Sequence, residues 1–180
     1  MKRVEKLLVA TDLSDNSRRG LLYACSFAAE NHAAVSVVHV ANEFAAWEFY
    51  SDEFSFLQPA GRAWPADRVI SEASLNLNRF LEPHLEALSR VSYATKRVIL
   101  GPIADRIVMV AQEERADMIV MSPRRHRKWG RRLSRSITER VTRMSPCPVL
   151  SVTPPLPSQS WRGSLSPILL GWPKQRTAGI

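Results

Sequence analysis

Short apolar runs alternate with amphipathic segments along most of the chain. The runs are of strand length and predict five β-strands, at Val4–Ala10, Ala34–Val40, Val91–Leu100, Met118–Met121 and Val149–Val152. Segments with a period near 3.6 residues predict helices at Asp15–Asn31, Asp67–Leu88, Ile103–Glu114 and Ser136–Met144. Pro83 is expected to kink the second helix or to mark its last turns. Strands alternating with helices predict a doubly wound α/β fold, with a parallel sheet covered by helices on both faces.

Polar residues at the ends of two predicted strands are candidates for a binding site. In doubly wound sheets a ligand lies beyond the carboxyl ends of the strands, where the winding reverses direction. Asp12 follows the first predicted strand and Ser122 follows the fourth. Ser136 and Glu139 have the spacing of a capping box, which predicts that the last helix begins at Ser136.

Two segments fall outside the alternating pattern, which is expected to form one domain over residues 1–153. Residues 42–66 are an insertion that holds half of the 14 aromatic residues, interleaved with acidic ones. The insertion is either a lid or partner surface or a cover for the sheet, and the cover is favoured. Residues 154–180 are rich in proline and serine and predict a mostly disordered tail, with a docked arm as the alternative.

Composition narrows the class of protein. A chain of 180 residues with 45% hydrophobic and 23% charged residues is typical of a soluble globular domain, which excludes collagen-like and disulfide-scaffold proteins. The two cysteines are far apart and favour a reducing compartment. The first residues do not have the pattern of a signal peptide, and no apolar run has the length of a membrane span. A cytoplasmic protein is therefore expected.

The net charge of +8 comes entirely from one stretch. Residues 122–143 carry nine basic side chains and one acidic one, while the rest of the chain is balanced. Such a stretch attracts phosphate groups, although a solvated loop has the same composition. Trp129 lies among these basic residues, where an aromatic ring is able to stack on a base.

Several segments together resemble the universal stress protein (UspA) family over about residues 6–152. They are the opening LLVATDLSDNS, the VVHV strand, the Gly101–Pro102 turn, ADMIVMS and the closing SITERVTRMSPCPVLSV. The resemblance implies a five-stranded, Rossmann-like parallel sheet of the adenine nucleotide alpha hydrolase-like kind. It also implies a homodimer formed through the last strand, Val149 to Val152.

The resemblance breaks down in the phosphate loop of the nucleotide-binding members. The three positions where those members carry glycine fall on Ser122, Arg125 and Arg135, and only the hydroxyl position, Ser136, is kept. Glycine allows a close approach of backbone N–H groups to phosphate, whereas arginine is itself a strong phosphate ligand. The nucleoside contacts implied by the resemblance are better preserved, at Asp12 and Val40. Each also has a plain structural alternative, because Asp12 is suited to bonding the Ser14 region and Val40 to the core.

Three functional hypotheses follow. The favoured one is a non-catalytic stress-response or signalling module with a degraded ATP-binding loop and no assigned cofactor. The second is an ATP- or AMP-binding stress protein whose ligands are Asp12, Val40, Ser122, Arg124, Arg125, Arg135 and Ser136. The third is salt-dependent binding of a nucleic acid or another anionic, phosphate-bearing surface through residues 124–135.

An enzyme is not expected, with weak ATP hydrolysis left open. The four histidines form no catalytic or metal-binding motif, and no metal site is predicted. His39 lies in a predicted strand and is interpreted as a core histidine.

Overall fold

The computed structural model describes residues 3–41, 66–122 and 133–153, with side chains in the last range described from residue 137 onward. The predicted insertion up to residue 65, the predicted tail and most of the basic stretch lie outside the described residues. The strands are β1 (Lys6–Thr11), β2 (Ala34–Ala41), β3 (Ala94–Leu100), β4 (Met118–Met121) and β5 (Val149–Ser151). The helices are α1 (Asp15–Asn31), α2 (Ala66–Leu81), α3 (Leu85–Ser89), α4 (Ile103–Glu113) and α5 (Leu133–Met144), with a 3₁₀ turn at Glu82–His84.

The five strands form one parallel sheet in the order β3-β2-β1-β4-β5. Strand β1 lies at its centre, with Leu7 opposite Val35 of β2 on one side and Met118 of β4 on the other. The chain winds outward from β1 through β2 to β3, then returns to place β4 and β5 on the opposite side. The doubly wound α/β fold is thereby confirmed, and the winding reverses between β1 and β4.

Helices cover both faces of the sheet, which explains why the inner strands β1, β2 and β4 are nearly continuous apolar runs rather than alternating ones. Leu7 and Val9 of β1 are buried on the face covered by α1 and α2, while Leu8 is buried on the face covered by α4 and α5. Each face has its own hydrophobic cluster, and the sheet separates the two. Residue parity in a strand therefore tells which group of helices a side chain contacts.

Helix and strand boundaries differ from the predictions in three places. The long helix predicted before β3 is broken into α2, the 3₁₀ turn and α3, because Pro83 in the turn cannot donate a helical hydrogen bond. Strand β3 begins at Ala94 rather than Val91, although the Val91 side chain is buried in the core. Helix α5 begins at Leu133 rather than Ser136, so the prediction that Ser136 starts the helix is wrong.

The ends of α1 are fixed by local hydrogen bonds. At its start the Ser14 side chain accepts a hydrogen bond from the Ser17 N–H at 3.4 Å. At its end His32 adopts a left-handed conformation, with φ of 54°, and its N–H bonds back to the last turn. These caps fix where α1 begins and ends. None of the helices within the described residues is long and apolar enough to cross a membrane.

Candidate functional site at the carboxyl edge of the sheet

The carboxyl ends of β1 and β4 flank the point where the winding of the sheet reverses. In an open parallel sheet the loops leaving these two strands run to opposite faces and leave a crevice between them. Here the loop after β1 enters α1, while α5, which follows β4, covers the other face. Asp12 and Ser122 are the first residues beyond the two strands, as the sequence predicted. We call this region the switch-point crevice.

The turn from β1 into α1 is held by a chain of hydrogen bonds among its own residues. The Thr11 hydroxyl accepts a hydrogen bond from the Leu13 N–H at 3.0 Å and donates one to the Ser17 hydroxyl at 2.9 Å. The Ser17 hydroxyl in turn donates to the Ser14 carbonyl at 2.8 Å. Leu13 has a φ of 63°, in the left-handed region that non-glycine residues occupy at a cost. The hydrogen bonds hold this strained backbone in place.

Asp12 is oriented within the same turn. Its Oδ1 accepts a hydrogen bond from the Ser14 N–H at 3.0 Å and another from the Ser14 hydroxyl at 2.5 Å. The structural alternative considered for Asp12, bonding to the Ser14 region, is therefore present. A carboxylate offers about four acceptor positions, so bonding to Ser14 is compatible with a further contact. The turn fixes this carboxylate at the edge of the crevice.

His39, near the end of β2, is a member of this edge that sequence reasoning assigned to the core. It is half-buried, and its Nδ1 lies 2.9 Å from the Thr11 carbonyl oxygen, to which it donates a hydrogen bond. Burial lowers the pKa of His39, while the bond to Thr11 and the nearby Asp12 charge oppose that decrease. The ring is therefore kept neutral and fixed beside β1. His39 lies opposite Thr11 in the pairing of β2 with β1, and this register is what places it at the carboxyl edge.

Val40 lies one residue before the end of β2 and is buried, with 8% of its surface exposed. Its side chain packs in the hydrophobic cluster on the face of α4 and α5. The core interpretation of the Val40 side chain is thus correct. Any contact between Val40 and a ligand at the carboxyl edge is left to its backbone.

Ser122, directly after β4, has a hydroxyl group that the described residues leave without a hydrogen bond. Its oxygen is fully buried and has no hydrogen-bond partner among the described residues. The neighbouring surface is Gly20 of α1, where a Cβ atom would lie 2.3 Å from the Ser122 oxygen. Because Gly20 has no side chain, the Ser122 hydroxyl has room at this position. Sequence reasoning missed Gly20, because a glycine inside a helix carries no local sign of what it packs against.

The remaining predicted ligands belong to the basic stretch. Arg124 and Arg125 lie outside the described residues, and the side chains of Arg135 and Ser136 are likewise not described. The backbone of these last two residues forms part of the first turn of α5. The structure therefore brings Asp12, Val40 and Ser122 to one edge and leaves the basic residues as predictions. Within the ranges whose side chains are described, no cluster of three or more potential metal ligands occurs.

Comparisons with known proteins agree with this architecture. A model of the Universal stress protein family matches residues 3–153. The universal stress protein UspA from Lactobacillus plantarum is similar in structure, with 17% identity and a TM-score of 0.63 over 84% of this chain and 99% of that one. A universal stress protein from Archaeoglobus fulgidus in complex with dAMP has 19% identity and a TM-score of 0.53, covering 83% of this chain and 98% of that one.

A third solved structure is a universal stress protein in complex with cAMP. It has 21% identity and a TM-score of 0.62, and the match covers 84% of this chain and 98% of that one. At such identities the three structures show a shared fold alone. No curated protein matches the chain.

Proposed function

The chain belongs to the universal stress protein family, and from this membership we propose that it is a non-catalytic stress-response module that binds an adenine nucleotide in the switch-point crevice. Two similar structures are described as complexes with adenine nucleotides, cAMP and dAMP. Of the hypotheses drawn from the sequence, the proposal adopts the nucleotide-binding stress protein rather than the module with no assigned cofactor. Observations at the carboxyl edge of the sheet support this choice.

The observation that carries the proposal is the buried hydroxyl of Ser122. A buried polar atom without a hydrogen bond costs about 1–3 kcal/mol, so such an atom calls for an explanation. The atom lies at the end of β4, beside the point where open parallel sheets bind their ligands. A nucleotide in the crevice would supply the missing hydrogen-bond partner.

The nucleoside end of the proposed site is formed by Asp12 and the backbone of Val40. The Asp12 carboxylate is already oriented by Ser14, so little freedom is lost when it accepts hydrogen bonds from ribose hydroxyl groups. Val40 belongs to the strand adjacent to β1, which places its backbone near the same edge. The resemblance to nucleotide-binding family members assigns both residues to the nucleoside.

The phosphate end of the proposed site is the basic stretch that begins directly after Ser122. The proposed ligands are Arg124, Arg125, Arg135 and Ser136. Arginine binds phosphate through paired, charge-assisted hydrogen bonds. The first turn of α5 adds backbone N–H groups that have no partner within the helix, together with the positive end of its dipole. These groups replace the glycine loop in the proposal.

The absence of catalysis is proposed from the state of the hydroxyl and imidazole groups at the edge. The hydroxyls of Thr11, Ser14 and Ser17 are all hydrogen bonded within the turn, and His39 donates to a backbone carbonyl. The base that the Ser14 hydroxyl meets is the Asp12 carboxylate, which also accepts the Ser14 N–H and so holds the turn. Within the described residues, no hydroxyl group at this edge is hydrogen bonded to a histidine. The site is suited to holding a ligand rather than to transforming it.

We also propose that the protein forms a homodimer through β5. This strand lies at the edge of the sheet and is hydrogen bonded to β4 on one side. Val149 and Leu150 are only half-buried in the single chain. An apolar edge strand of this kind is completed by pairing with its symmetry mate.

Calorimetric titration of the purified protein with ATP and Mg²⁺, and separately with AMP, tests the proposed nucleotide site. Asp12→Ala is expected to weaken binding and Arg135→Glu to abolish it. Asp15→Ala is the matched control, because the side chain of Asp15 is 95% exposed and lies one turn further along the same helix start. Its affinity is expected to equal that of the unmodified protein.

Failure of the unmodified protein to bind any adenine nucleotide would contradict the proposal. If it then bound a DNA oligomer, with an affinity that falls steeply as salt is raised, the basic stretch would be assigned to nucleic acid instead. If Asp12→Ala and Asp15→Ala reduced nucleotide affinity equally, Asp12 would be excluded as a specific ligand.

A further inference from the structure

An apolar groove runs along β3, the edge strand that β2 separates from β1. The groove has a volume of about 550 Å³ and lies between α2, α3 and the first half of β3. Two leucines that line it are largely exposed, Leu75 of α2 at 57% and Leu85 of α3 at 61%. The buried residues Val37 and Leu81 line it as well. The described part of the chain therefore leaves a contiguous apolar surface uncovered at this edge.

The outer edge of β3 carries backbone groups that have no partner in the sheet, because β3 is hydrogen bonded to β2 on one side only. The Tyr93 carbonyl accepts a hydrogen bond from the Val35 N–H at 2.8 Å. The Gly101 N–H donates one to the Ala41 carbonyl at 3.2 Å. Alternate residues of a parallel strand direct their backbone groups to opposite edges, so the odd-numbered residues bond β2. The groups that point outward belong to the even-numbered residues of β3, which are Ala94, Lys96, Val98 and Leu100.

The open strand edge and the groove are next to each other. Ala94 and Lys96, whose backbone groups point outward, also line the groove. Val98 has the same parity, and its side chain packs on the face of the sheet that α1 and α2 cover. A strand added to this edge places every second side chain on that same face. Those side chains would enter the groove.

The charges that line the groove select for an acidic partner. Lys96 is exposed, and its ammonium group bonds a neutral atom, the Asn78 amide oxygen, at 2.5 Å. Neither Lys96 nor Arg79 takes part in an ion pair within the described residues. Glu82 is the single acidic side chain among the lining residues, against these two basic ones. An acidic side chain beside Lys96 is therefore favoured, and a basic one is repelled.

We propose that the outer edge of β3 binds an extended acidic segment of another protein as a sixth strand of the sheet. The backbone hydrogen bonds of such a strand supply affinity, while the groove and Lys96 supply specificity for alternating apolar and acidic side chains. A second copy of β3 is disfavoured as the partner, because basic side chains of both copies would meet. The inference goes beyond the proposed nucleotide site and does not depend on it.

The first test is amide hydrogen exchange of the full chain, followed by NMR. In the free protein the amides of Lys96 and Val98 should exchange faster than those of Arg97 and Ile99, which bond β2. The probe is a synthetic peptide in which leucine, glutamate and leucine alternate with threonine. At a peptide concentration of about ten times Kd, exchange at Lys96 and Val98 should slow about tenfold. Exchange at Arg97 and Ile99 should stay unchanged.

Fluorescence anisotropy with the labelled peptide compares variants. Lys96→Glu is expected to weaken binding of this peptide about tenfold and to strengthen binding of a peptide with lysine in place of glutamate. Leu75→Ser removes an apolar side chain from the groove and is expected to weaken both peptides about tenfold. Arg115→Glu is the matched control, since Arg115 is an exposed residue just beyond α4, on the opposite face of the sheet. It should change neither affinity.

Each other outcome overturns the inference in a distinguishable way. Slow exchange at Lys96 and Val98 in the free protein would show that the edge is already covered, by a second copy if the protection is lost on dilution. Peptide binding without protection of these amides would place the peptide in the groove alone. Failure of the peptide to bind, or an equal loss in Lys96→Glu and Arg115→Glu, would exclude β3 as a specific docking edge. Circular dichroism verifies folding, which we expect to be retained because Lys96 and Leu75 are exposed.

Discussion

The two sides of the switch-point crevice are built in opposite ways. At the end of β1 the hydroxyl groups of Thr11, Ser14 and Ser17 all take part in hydrogen bonds within the turn. At the end of β4 the Ser122 hydroxyl is buried and has no partner among the described residues. Both sides use the same kind of polar side chain, next to neighbouring strands of the same sheet.

The difference separates a structural role from a binding role. Hydrogen bonds that close within a turn stabilise the folded protein whether or not a ligand is present. A buried hydroxyl without a partner lowers the stability of the free protein, and in the proposal it gains its hydrogen bond only when a ligand arrives. Substitutions on the β1 side should therefore change stability, and substitutions on the β4 side should change ligand affinity.

The largest expected effect on stability is that of Thr11→Val. This change keeps the shape of the side chain but removes the hydroxyl that links the Leu13 N–H to the Ser17 hydroxyl. We expect the free energy of unfolding to fall by about 1–3 kcal/mol. Urea denaturation of the nucleotide-free protein measures this change in the free energy of unfolding.

Ser122→Ala is the matched substitution on the other side. Since its buried hydroxyl has no partner among the described residues, removing it relieves the cost of burying it, and the free energy of unfolding should rise by about 1 kcal/mol while nucleotide affinity falls. The contrast between the two sides would be wrong if Ser122→Ala destabilised the free protein as much as Thr11→Val does.

A smaller effect is expected for Gly20→Ala, which tests the contact that gives Ser122 its place. The new methyl group would lie 2.3 Å from the Ser122 oxygen, so overpacking offsets the gain in helix propensity of about 1 kcal/mol. In the presence of Ser122→Ala the nearest remaining atom of residue 122 is its Cβ, at an ordinary 3.6 Å. The double variant should be more stable than Gly20→Ala by about 1 kcal/mol or more.

A double-variant cycle in urea measures this coupling between residues 20 and 122. Additive changes in the free energy of unfolding would show that the helix and the strand end do not meet in this way. The same cycle measured by nucleotide affinity reports whether the hydroxyl is needed in its present orientation.

The smallest expected effect is a pH dependence on the β1 side. Burial lowers the pKa of His39, so the folded protein binds a proton less readily than the unfolded chain, in which histidine has a pKa of about 6.5. The stability contributed by neutral His39 is complete above about pH 6.5 and is lost progressively as pH falls below it. His39→Asn retains a donor near the Nδ1 position and removes the titration.

The measurement is the urea midpoint at about pH 7.5 and about pH 5.5. The decrease between the two should be smaller for His39→Asn than for the unmodified protein. Burial, and the positive charge of Arg18, also lower the pKa of His84 in the 3₁₀ turn. His84→Gln therefore provides the comparison, and an unchanged pH dependence in His39→Asn would exclude His39 as a contributor.

Most of the fold could be predicted from the sequence, because it depends on patterns that are local. Strands such as β1 and β2 are continuous apolar runs, and both faces of the sheet are covered. The resemblance of the closing segment to a known family is confirmed by the match over residues 3–153. The predicted ends of strands and helices were less accurate where tertiary contacts determine them. Val91, for example, is buried beside α1 and α2 but does not belong to β3.

The candidate site could be predicted only in part. Asp12 and Ser122 were found because their positions at strand ends are visible in the chain. The contact of Gly20 with Ser122 depends on how closely a helix approaches the sheet. The hydrophobic periodicity of the sequence contains no information about such distances.

The central position of β1 also has a consequence for synthesis on the ribosome. One edge of β1 pairs with β2, which follows soon after it, but the other edge pairs with β4, beginning at Leu7 opposite Met118. Asp117 closes that junction by accepting hydrogen bonds from the N–H groups of Glu5 and Lys6. The nascent chain thus carries an open apolar strand edge until residue 121 has emerged, and this interval is when it is most prone to aggregate or to need a chaperone.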